Sequence, residues 1–271
     1  MSNHKTYYRD NDFRQEHSAN YTLLVQIEPL AFSYAVIGHN RLLALELEHD
    51  LDELTEITGE NNLLFATYKQ CIIGLPHAGF TFVPVSLFRP DRVADFARFL
   101  DVKANEKVFS QPLDAENQVI YKVDENIATA IADKFDIKNT VFAAKGWISA
   151  MAANNPPNEN LYVNIDNDKV EILNFKDNKL HFYNSFEFKN EDELVYFTSF
   201  VADELQLQAS NITLVLSGDV EPGDKNSNRL SEFFNKVELN DLKTVQLPQQ
   251  IAYHKVLTLT ALSLCGSSEA H

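Results

Sequence analysis

The strongest constraint on the fold of this sequence is a set of three short strand-like segments that occurs twice. Residues 22–48 align without a gap with residues 160–186, at a constant offset of 138 positions. Apolar residues coincide at three alternate positions of the first segment, namely Leu23 with Leu161, Val25 with Val163 and Ile27 with Ile165. Alternation with a period of two is typical of half-buried strands, and self-similarity at a fixed offset indicates internal duplication. The sequence therefore predicts two three-stranded meanders.

Each meander is followed by the same order of elements, which is a helix, a strand and a helix. In the second copy, the pattern predicts a helix over 191–205, a strand over 212–216 and a helix over 229–237. In the first copy, a helical stretch from about residue 50 to 58 precedes an apolar strand over 70–75. We therefore expect an α/β protein that is built from two βββαβα halves.

Turn and linker residues divide the chain into a tail and two halves. The first twenty residues are charged and lack periodicity, so residues 1–20 are expected to form a flexible N-terminal tail. The Asn/Pro cluster at 154–157 has the composition of a linker. The predicted halves are therefore residues 21–155 and 156–271, and the second half ends in an apolar helix over 251–264.

An excess of acidic residues excludes two classes of partner. Lys and Arg number 23 against 39 Asp and Glu, which gives a net charge of −16. Nucleic-acid binding requires a basic surface that neutralises phosphates, and anionic membranes attract basic segments. We therefore expect no nucleic-acid partner, no membrane insertion and an unidentified protein as the partner. Two isolated cysteines and the lack of a targeting segment favour a cytoplasmic location.

Motifs that carry catalysis are sparse in this sequence. The 8 glycines all lie at least five positions apart, so the dinucleotide-binding pattern Gly-x-Gly-x-x-Gly is missing. The sequence also contains no Gly-x-Ser-x-Gly nucleophile elbow and no His-Glu-x-x-His zinc motif. It therefore predicts no catalytic residue and no metal site, and it favours a protein that is not an enzyme.

The two meanders and the elements that follow them resemble the actin-like ATPase fold, which actin, sugar kinases and the 70-kilodalton chaperones share. The run Phe80-Thr81-Phe82-Val83-Pro84-Val85-Ser86-Leu87-Phe88 is similar to the most recognisable segment of a bacterial domain-of-unknown-function family with this fold. The resemblance extends from Tyr21 to Gly266. It implies two ribonuclease-H-like halves and a last helix that packs back on the first half. The chain also resembles degenerate actin-like domains of pilus and secretion platforms, which mainly hold partners.

The resemblance assigns nucleotide phosphates to the first hairpin turn of each half. The family pattern is Asp-x-Gly, because backbone N–H groups must wrap an anion closely while the aspartate holds a metal or its waters. In the first turn, Glu28 replaces the aspartate, Leu30 replaces the glycine and a proline lies between them. In the second turn, Asp166 keeps the acid, whereas Asp168 replaces the glycine and would repel phosphate.

The family's adenosine contact is a double glycine after a strand, which here reads Ser217-Gly218-Asp219. The two phosphate turns and the adenosine contact are therefore all altered in this chain. The sequence predicts a non-catalytic binding or scaffold protein without a cofactor. Two alternatives remain open, namely a switch that binds ATP with Mg²⁺ between the halves and a small-molecule kinase of the same fold.

Overall fold

The computed structural model describes the chain over residues 7–56, 63–208 and 210–266. The chain divides into two compact units. Unit 1 comprises Met1–Trp147 together with Leu259–His271, and unit 2 comprises Ile148–Thr258. The chain passes from unit 1 to unit 2 inside a helix, a few residues before the Asn/Pro cluster at 154–157, where the sequence placed the boundary.

Unit 1 contains two sheets. Its strands, numbered along the chain, are β1 (Tyr7–Arg9), β2 (Thr22–Ile27), β3 (Ala31–Gly38), β4 (Arg41–Asp50), β5 (Gln70–Leu75), β6 (Gly79–Pro84), β7 (Glu106–Pro112), β8 (Asn117–Asp124) and β9 (Thr140–Phe142). Six of them form one sheet in the order β1-β4-β3-β2-β5-β9, in which β2, β5 and β9 run parallel. The other three form an antiparallel sheet in the order β6-β8-β7, inserted between β5 and β9.

The segment over residues 7–20 differs from the flexible tail that the sequence predicted. Strand β1 pairs antiparallel with β4, so that Tyr8 lies opposite Leu45. The ring of Phe13 is buried and lies 5.9 Å from the ring of Tyr21. The aromatic residues of this segment therefore dock it on unit 1, which the charge of the segment alone did not reveal. Residues 1–6 lie outside the described ranges.

The helices of unit 1 are short. They are α1 (Leu51–Glu56), α2 (Val93–Ala97), α3 (Glu125–Lys134) and α4 (Ala144–Ala152), the last of which ends in unit 2. Turns of 3-10 helix lie at Gln15–Asn20, Leu63–Phe65, Pro90–Arg92, Arg98–Leu100 and Ile137–Asn139. The side chain of Asp124 caps the start of α3 by accepting a hydrogen bond from the N–H of Asn126 at 2.8 Å.

Unit 2 has one sheet with helices packed against it. Its strands are β10 (Asn160–Asp166), β11 (Lys169–Lys176), β12 (Lys179–Glu187), β13 (Thr213–Gly218) and β14 (Lys236–Leu239), in the order β12-β11-β10-β13-β14. Its helices are α5 (Glu191–Glu204), α6 (Lys225–Ser231) and α7 (Tyr253–Ala261), and a 3-10 turn at Leu262–Cys265 continues α7 into unit 1. None of the helices in the described ranges has the length and apolarity needed to cross a bilayer.

The structure shows the internal duplication at the level of single residues. Strands β2, β3 and β4 begin 138 positions before β10, β11 and β12. The register between β3 and β4 shifts after Val36, and the register between β11 and β12 shifts after Asn174, again 138 positions later. Without β1, the two large sheets have the same strand order. The predicted fold class, two duplicated βββαβα halves, is therefore confirmed.

The second half also contains a correction to the sequence prediction. The predicted helix over 229–237 is wrong in its C-terminal part, because α6 ends at Ser231 and Lys236–Leu239 forms β14 beside β13. Val237 and Leu239 pack against the core while Lys236 is exposed, which is the period-two pattern of a strand. The sequence also predicts a short strand over 244–247, and the structure forms no strand there.

The core of unit 2 explains why its helices form where they do. Alternate residues of β10, such as Val163 and Ile165, are fully buried against apolar residues of α5, including Leu194 and Val201. Helix α5 begins at a side-chain cap, since Asn190 Oδ1 accepts hydrogen bonds from two backbone N–H groups of the first turn at 3.1 and 3.0 Å. The opposite face of β10 is left for the polar residues of the candidate site.

Candidate functional site

The turn between β2 and β3 is a tight two-residue loop that offers little to an anion. The N–H of Glu28 donates to the carbonyl of Ala31 at 2.8 Å and closes the turn over Pro29 and Leu30. Proline has no N–H, and Leu30 is 84% exposed. The carbonyl of Leu30 accepts a hydrogen bond from the N–H of Leu51 at 2.9 Å. Of the two loop residues, only Leu30 therefore carries a backbone donor.

The turn between β10 and β11 has the same length and carries acidic side chains. Asp166 pairs with Lys169 across the hairpin, which leaves Asn167 and Asp168 as the loop. The amide Nδ2 of Asn167 donates to Asp166 Oδ1 at 3.1 Å. Asp168 is exposed, and its carbonyl accepts a hydrogen bond from the N–H of Phe188 at 2.7 Å. A phosphate that approached this loop would therefore meet the like charge of Asp168.

The end of β13 brings Ser217, Gly218 and Asp219 against β10. Gly218 has a φ of +88°, and a Cβ atom placed on it would lie 2.0 Å from the carbonyl oxygen of Ile165. The N–H of Asp219 donates to that same carbonyl at 2.7 Å. The close approach of the chain to its own β10 backbone thus requires this glycine whether or not a ligand binds.

Two buried polar atoms beside Gly218, Asn164 Oδ1 and Ser217 Oγ, have no hydrogen-bond partner within the described ranges. Asn164 lies directly opposite Ser217 in the parallel pairing of β10 with β13, so the two side chains share one face of the sheet. An unsatisfied buried polar group costs about 1–3 kcal/mol, so this pair is unusual. Sequence reasoning selected Ser217 but missed Asn164, whose signal was a polar residue within an apolar strand.

Asn164 also belongs to a hydrogen-bonded cluster around Glu171, which sequence reasoning did not assign to the site. The Glu171 carboxylate accepts hydrogen bonds from Asn164 Nδ2 at 3.1 Å, Lys169 Nζ at 2.9 Å and the Tyr183 hydroxyl at 2.7 Å. Burial, together with the nearby Glu171 charge, raises the pKa of Tyr183 well above its usual value. The phenol therefore stays protonated and donates, and three donors hold the carboxylate in place.

A surface groove of about 410 Å³ opens beside the β10–β11 turn. Its walls are the turn, the end of β12 and the starts of α5 and α6, with lining residues Asn167, Asp168, Glu187, Phe188, Lys189, Asn190, Glu191, Lys225 and Asn226. Three acidic and two basic side chains are mixed along it. The groove therefore lacks the single sign of charge that would select an anion or a cation.

Other side chains that could act in catalysis are already hydrogen-bonded or are held in an unreactive protonation state. In unit 1, both ring nitrogens of His49 face carboxylates, with Glu46 at 2.9 Å and Glu53 at 3.0 Å, so the ring has no free nitrogen for a substrate. Burial raises the pKa of the Cys71 thiol to about 12 and that of Cys265 to about 11, which leaves both protonated at neutral pH. Among the described residues, no three His, Cys, Asp or Glu side chains cluster closely enough to hold a metal.

Comparison with solved structures identifies the fold. A Bacteroides thetaiotaomicron protein, described as having an actin-like ATPase fold and unknown function, matches with a TM-score of 0.76 at 19% identity, covering 94% of this chain and 99% of that chain. A chain of the PilM-PilN type IV pilus biogenesis complex matches with a TM-score of 0.59 at 11% identity, covering 88% of this chain and 97% of that chain. The chain therefore has the actin-like ATPase fold.

This fold raises the question of a nucleotide with Mg²⁺, and the residues present do not fit its phosphates. Pro29 removes a donor from the first turn, and Asp168 places a negative charge in the second. A Cβ atom at Gly218 would lie 2.0 Å from the Ile165 carbonyl oxygen. The absence of a side chain at this glycine therefore leaves no space for a ligand. Asp166 is the one family residue that these turns retain.

Comparison of sequences gives the family. A family model described as a protein of unknown function, DUF3822, matches residues 10–237, which is most of the chain. A search of curated proteins returned no match. The resemblance to a domain-of-unknown-function family is thereby confirmed, and the chain belongs to the DUF3822 family of proteins with the actin-like ATPase fold.

Proposed function

We propose that this protein is a non-catalytic binding module that uses the actin-like fold as a scaffold for a protein partner. The observation that carries the proposal is the pair of two-residue phosphate turns, in which Pro29 removes a backbone donor and Asp168 adds a negative charge. The fold itself is intact in both units, down to equivalent strand starts and register shifts. A preserved architecture with altered phosphate turns fits a role in holding partners.

A second line of support comes from a protein with the same fold. The PilM-PilN structure was solved as a type IV pilus biogenesis complex, so at least one solved chain of this shape is part of a protein assembly. We infer that the present chain likewise acts through protein contacts, with a partner in the cytoplasm. Its two cysteines are free thiols, which suits a reducing compartment.

ATP turnover tests the non-catalytic role. We expect the purified protein to release no phosphate from ATP above a protein-free blank, with or without Mg²⁺, because neither turn can wrap the phosphates. Asp166→Ala, which removes the retained acid, should then behave like the wild-type protein. Turnover by the wild-type protein that disappears in Asp166→Ala would overturn the proposal, since contaminating ATPases would not respond to that change.

A nucleotide-regulated switch is the second candidate, and one observation favours it. Asn164 Oδ1 and Ser217 Oγ are buried without a hydrogen-bond partner among the described residues, beside the strand end that contacts adenosine in the family. Ligand-binding sites are places where such unsatisfied groups persist. A nucleotide that satisfied both atoms would stabilise unit 2 without any hydrolysis.

A further inference from the structure

The groove beside the β10–β11 turn is lined by charged side chains of both signs that do not pair with one another. The carboxylates are Asp168, Glu187 and Glu191, and the ammonium groups are those of Lys189 and Lys225. Within the described ranges, none of these five charged groups takes part in a hydrogen bond or an ion pair. Ion pairs form when opposite charges come within about 4 Å of each other. The groove therefore holds its charges farther apart than that, and a ligand that carries both signs can bridge them.

The backbone that forms the groove is fixed by hydrogen bonds. The N–H of Phe188 donates to the carbonyl of Asp168 at 2.7 Å and joins the end of β12 to the turn. Asn190 caps the start of α5, and Asp224 Oδ1 caps the start of α6 by accepting from the N–H of Ser227 at 2.7 Å. A ligand that binds between such elements does not have to order them first.

An ion pair joins the two helices whose first residues line the groove. Arg229 Nε of α6 donates to Asp192 Oδ1 of α5 at 2.8 Å, and the Arg229 guanidinium also pairs with Glu232. Asp192 is therefore compensated by a charge of the protein itself. The five charges in the groove are not compensated in this way and await an external partner.

The mixture of charges favours a small zwitterion as the ligand. A simple anion would be attracted by the two lysines and repelled by the three carboxylates, and a simple cation would meet the reverse. A molecule with both a carboxylate and an ammonium group can be attracted by both sets at once. Because Asn190 already accepts from the backbone N–H groups that open α5, the lysines are the groups that would hold the ligand carboxylate.

The size of the groove restricts the ligand further. A volume of about 410 Å³ lies within the range of small-molecule sites. Phe188, which belongs to the core of unit 2, is the one apolar residue among the described residues that line the groove. A small zwitterion with a short side chain matches this volume and this composition, and a free amino acid has that chemistry.

We propose that the groove beside the β10–β11 turn binds a free amino acid. The ligand carboxylate would contact Lys189 and Lys225, and the ligand ammonium group would contact the three acidic side chains. All of the lining residues belong to unit 2. The inference goes beyond the proposed scaffold role and does not depend on it, because neither a nucleotide nor a partner protein takes part.

Calorimetric titration of the full-length protein with leucine tests the proposal, and two leucine derivatives test the role of each charge. N-acetyl-leucine lacks the ammonium charge, and leucinamide lacks the carboxylate. We expect leucine to bind saturably at millimolar concentration or below. Each derivative should bind about tenfold more weakly or worse, because each loses its charge-assisted contacts with one set of side chains.

Substitutions in the protein locate the site of binding. Lys225→Met and Asp168→Asn each remove one charge from an exposed side chain that lines the groove. Lys176→Met is the matched control, because Lys176 is also exposed and belongs to unit 2 but does not line the groove. We expect both groove variants to bind leucine about fivefold more weakly or worse, and the control to bind it like the wild-type protein.

Three results would overturn the proposal. The first is that leucine, glycine, aspartate and lysine all fail to bind at millimolar concentration. The second is that N-acetyl-leucine or leucinamide binds as tightly as leucine, and the third is that neither groove variant weakens binding.

The amino-acid result and the nucleotide result fail separately. If no amino acid binds and the protein also ignores nucleotides, the scaffold role stands and the groove proposal falls. If the protein hydrolyses ATP through Asp166, the non-catalytic role falls whatever the amino acids do.

Discussion

Replacement of Gly218 by alanine is expected to lower the free energy of unfolding by about 2–5 kcal/mol. The φ of +88° costs an L-residue about 1–2 kcal/mol, and the new Cβ would overlap the Ile165 carbonyl oxygen, which lies only 2.0 Å from its position. That oxygen is backbone and accepts the hydrogen bond of Asp219, so it cannot move aside without disturbing the β10–β13 pairing. Urea unfolding followed by circular dichroism measures the loss.

Gly223 supplies the matched control for this substitution. Its φ of +81° is almost the same, but a Cβ at Gly223 would meet nothing within 4 Å. Gly223→Ala should therefore lose only the backbone term of about 1–2 kcal/mol. A Gly218→Ala protein no less stable than Gly223→Ala would show that β10 and β13 do not approach as closely as described, and would reopen Gly218 as a ligand-binding glycine.

Replacement of Gly146 by valine should cost about 3 kcal/mol or more, because this glycine lies where α4 meets the end of α7. A Cβ at Gly146 would lie 2.6 Å from the carbonyl carbon and oxygen of Ala261 and 2.8 Å from the nitrogen of Leu262. All three are backbone atoms, so the clash exceeds the gain of about 1 kcal/mol that a glycine replaced within a helix can bring. Urea unfolding measures the change in stability.

Alkylation of Cys265 reports on the contact between α4 and the end of α7 that the Gly146 substitution would disturb. Cys265 lies in the 3-10 turn that continues α7, and its half-buried thiol has a raised pKa because of desolvation. We expect Gly146→Val to accelerate alkylation of Cys265, whereas Gly79→Ala should not, because the atoms nearest to its new Cβ belong to the Lys122 side chain and not to the α7 backbone. Unchanged alkylation in Gly146→Val would contradict the described packing of the two helix ends.

Much of the fold was predictable because strand periodicity and turn residues are local signals. The alignment at an offset of 138 located the three strands of each meander, since the β3–β4 and β11–β12 turns carry residues that tolerate positive φ at equivalent positions. The docked strand β1 and the edge strand β14 were missed. Both are short, and their stability comes from pairing with distant strands, which the local pattern does not contain.

The candidate site was predictable only in part, for a related reason. The altered turn residues Glu28, Leu30 and Asp168 are visible in the sequence because the family pattern names their positions. The cluster of Asn164, Glu171 and Tyr183 depends on which residues lie opposite one another across β10, β11 and β12. A bulge after Asn174 shifts that register, so spacing along the chain did not reveal the contacts.

Nucleotide binding is the most direct test of the central claim that the phosphate turns have lost their ligand. A thermal-shift titration with ATP and ADP, with and without Mg²⁺, should leave the melting temperature unchanged up to millimolar nucleotide. A ligand present at a hundredfold above its dissociation constant would add about 2.7 kcal/mol of stability and raise the melting temperature visibly. A saturable, Mg²⁺-dependent rise that Asp166→Ala abolishes would contradict the account and establish the nucleotide switch in its place.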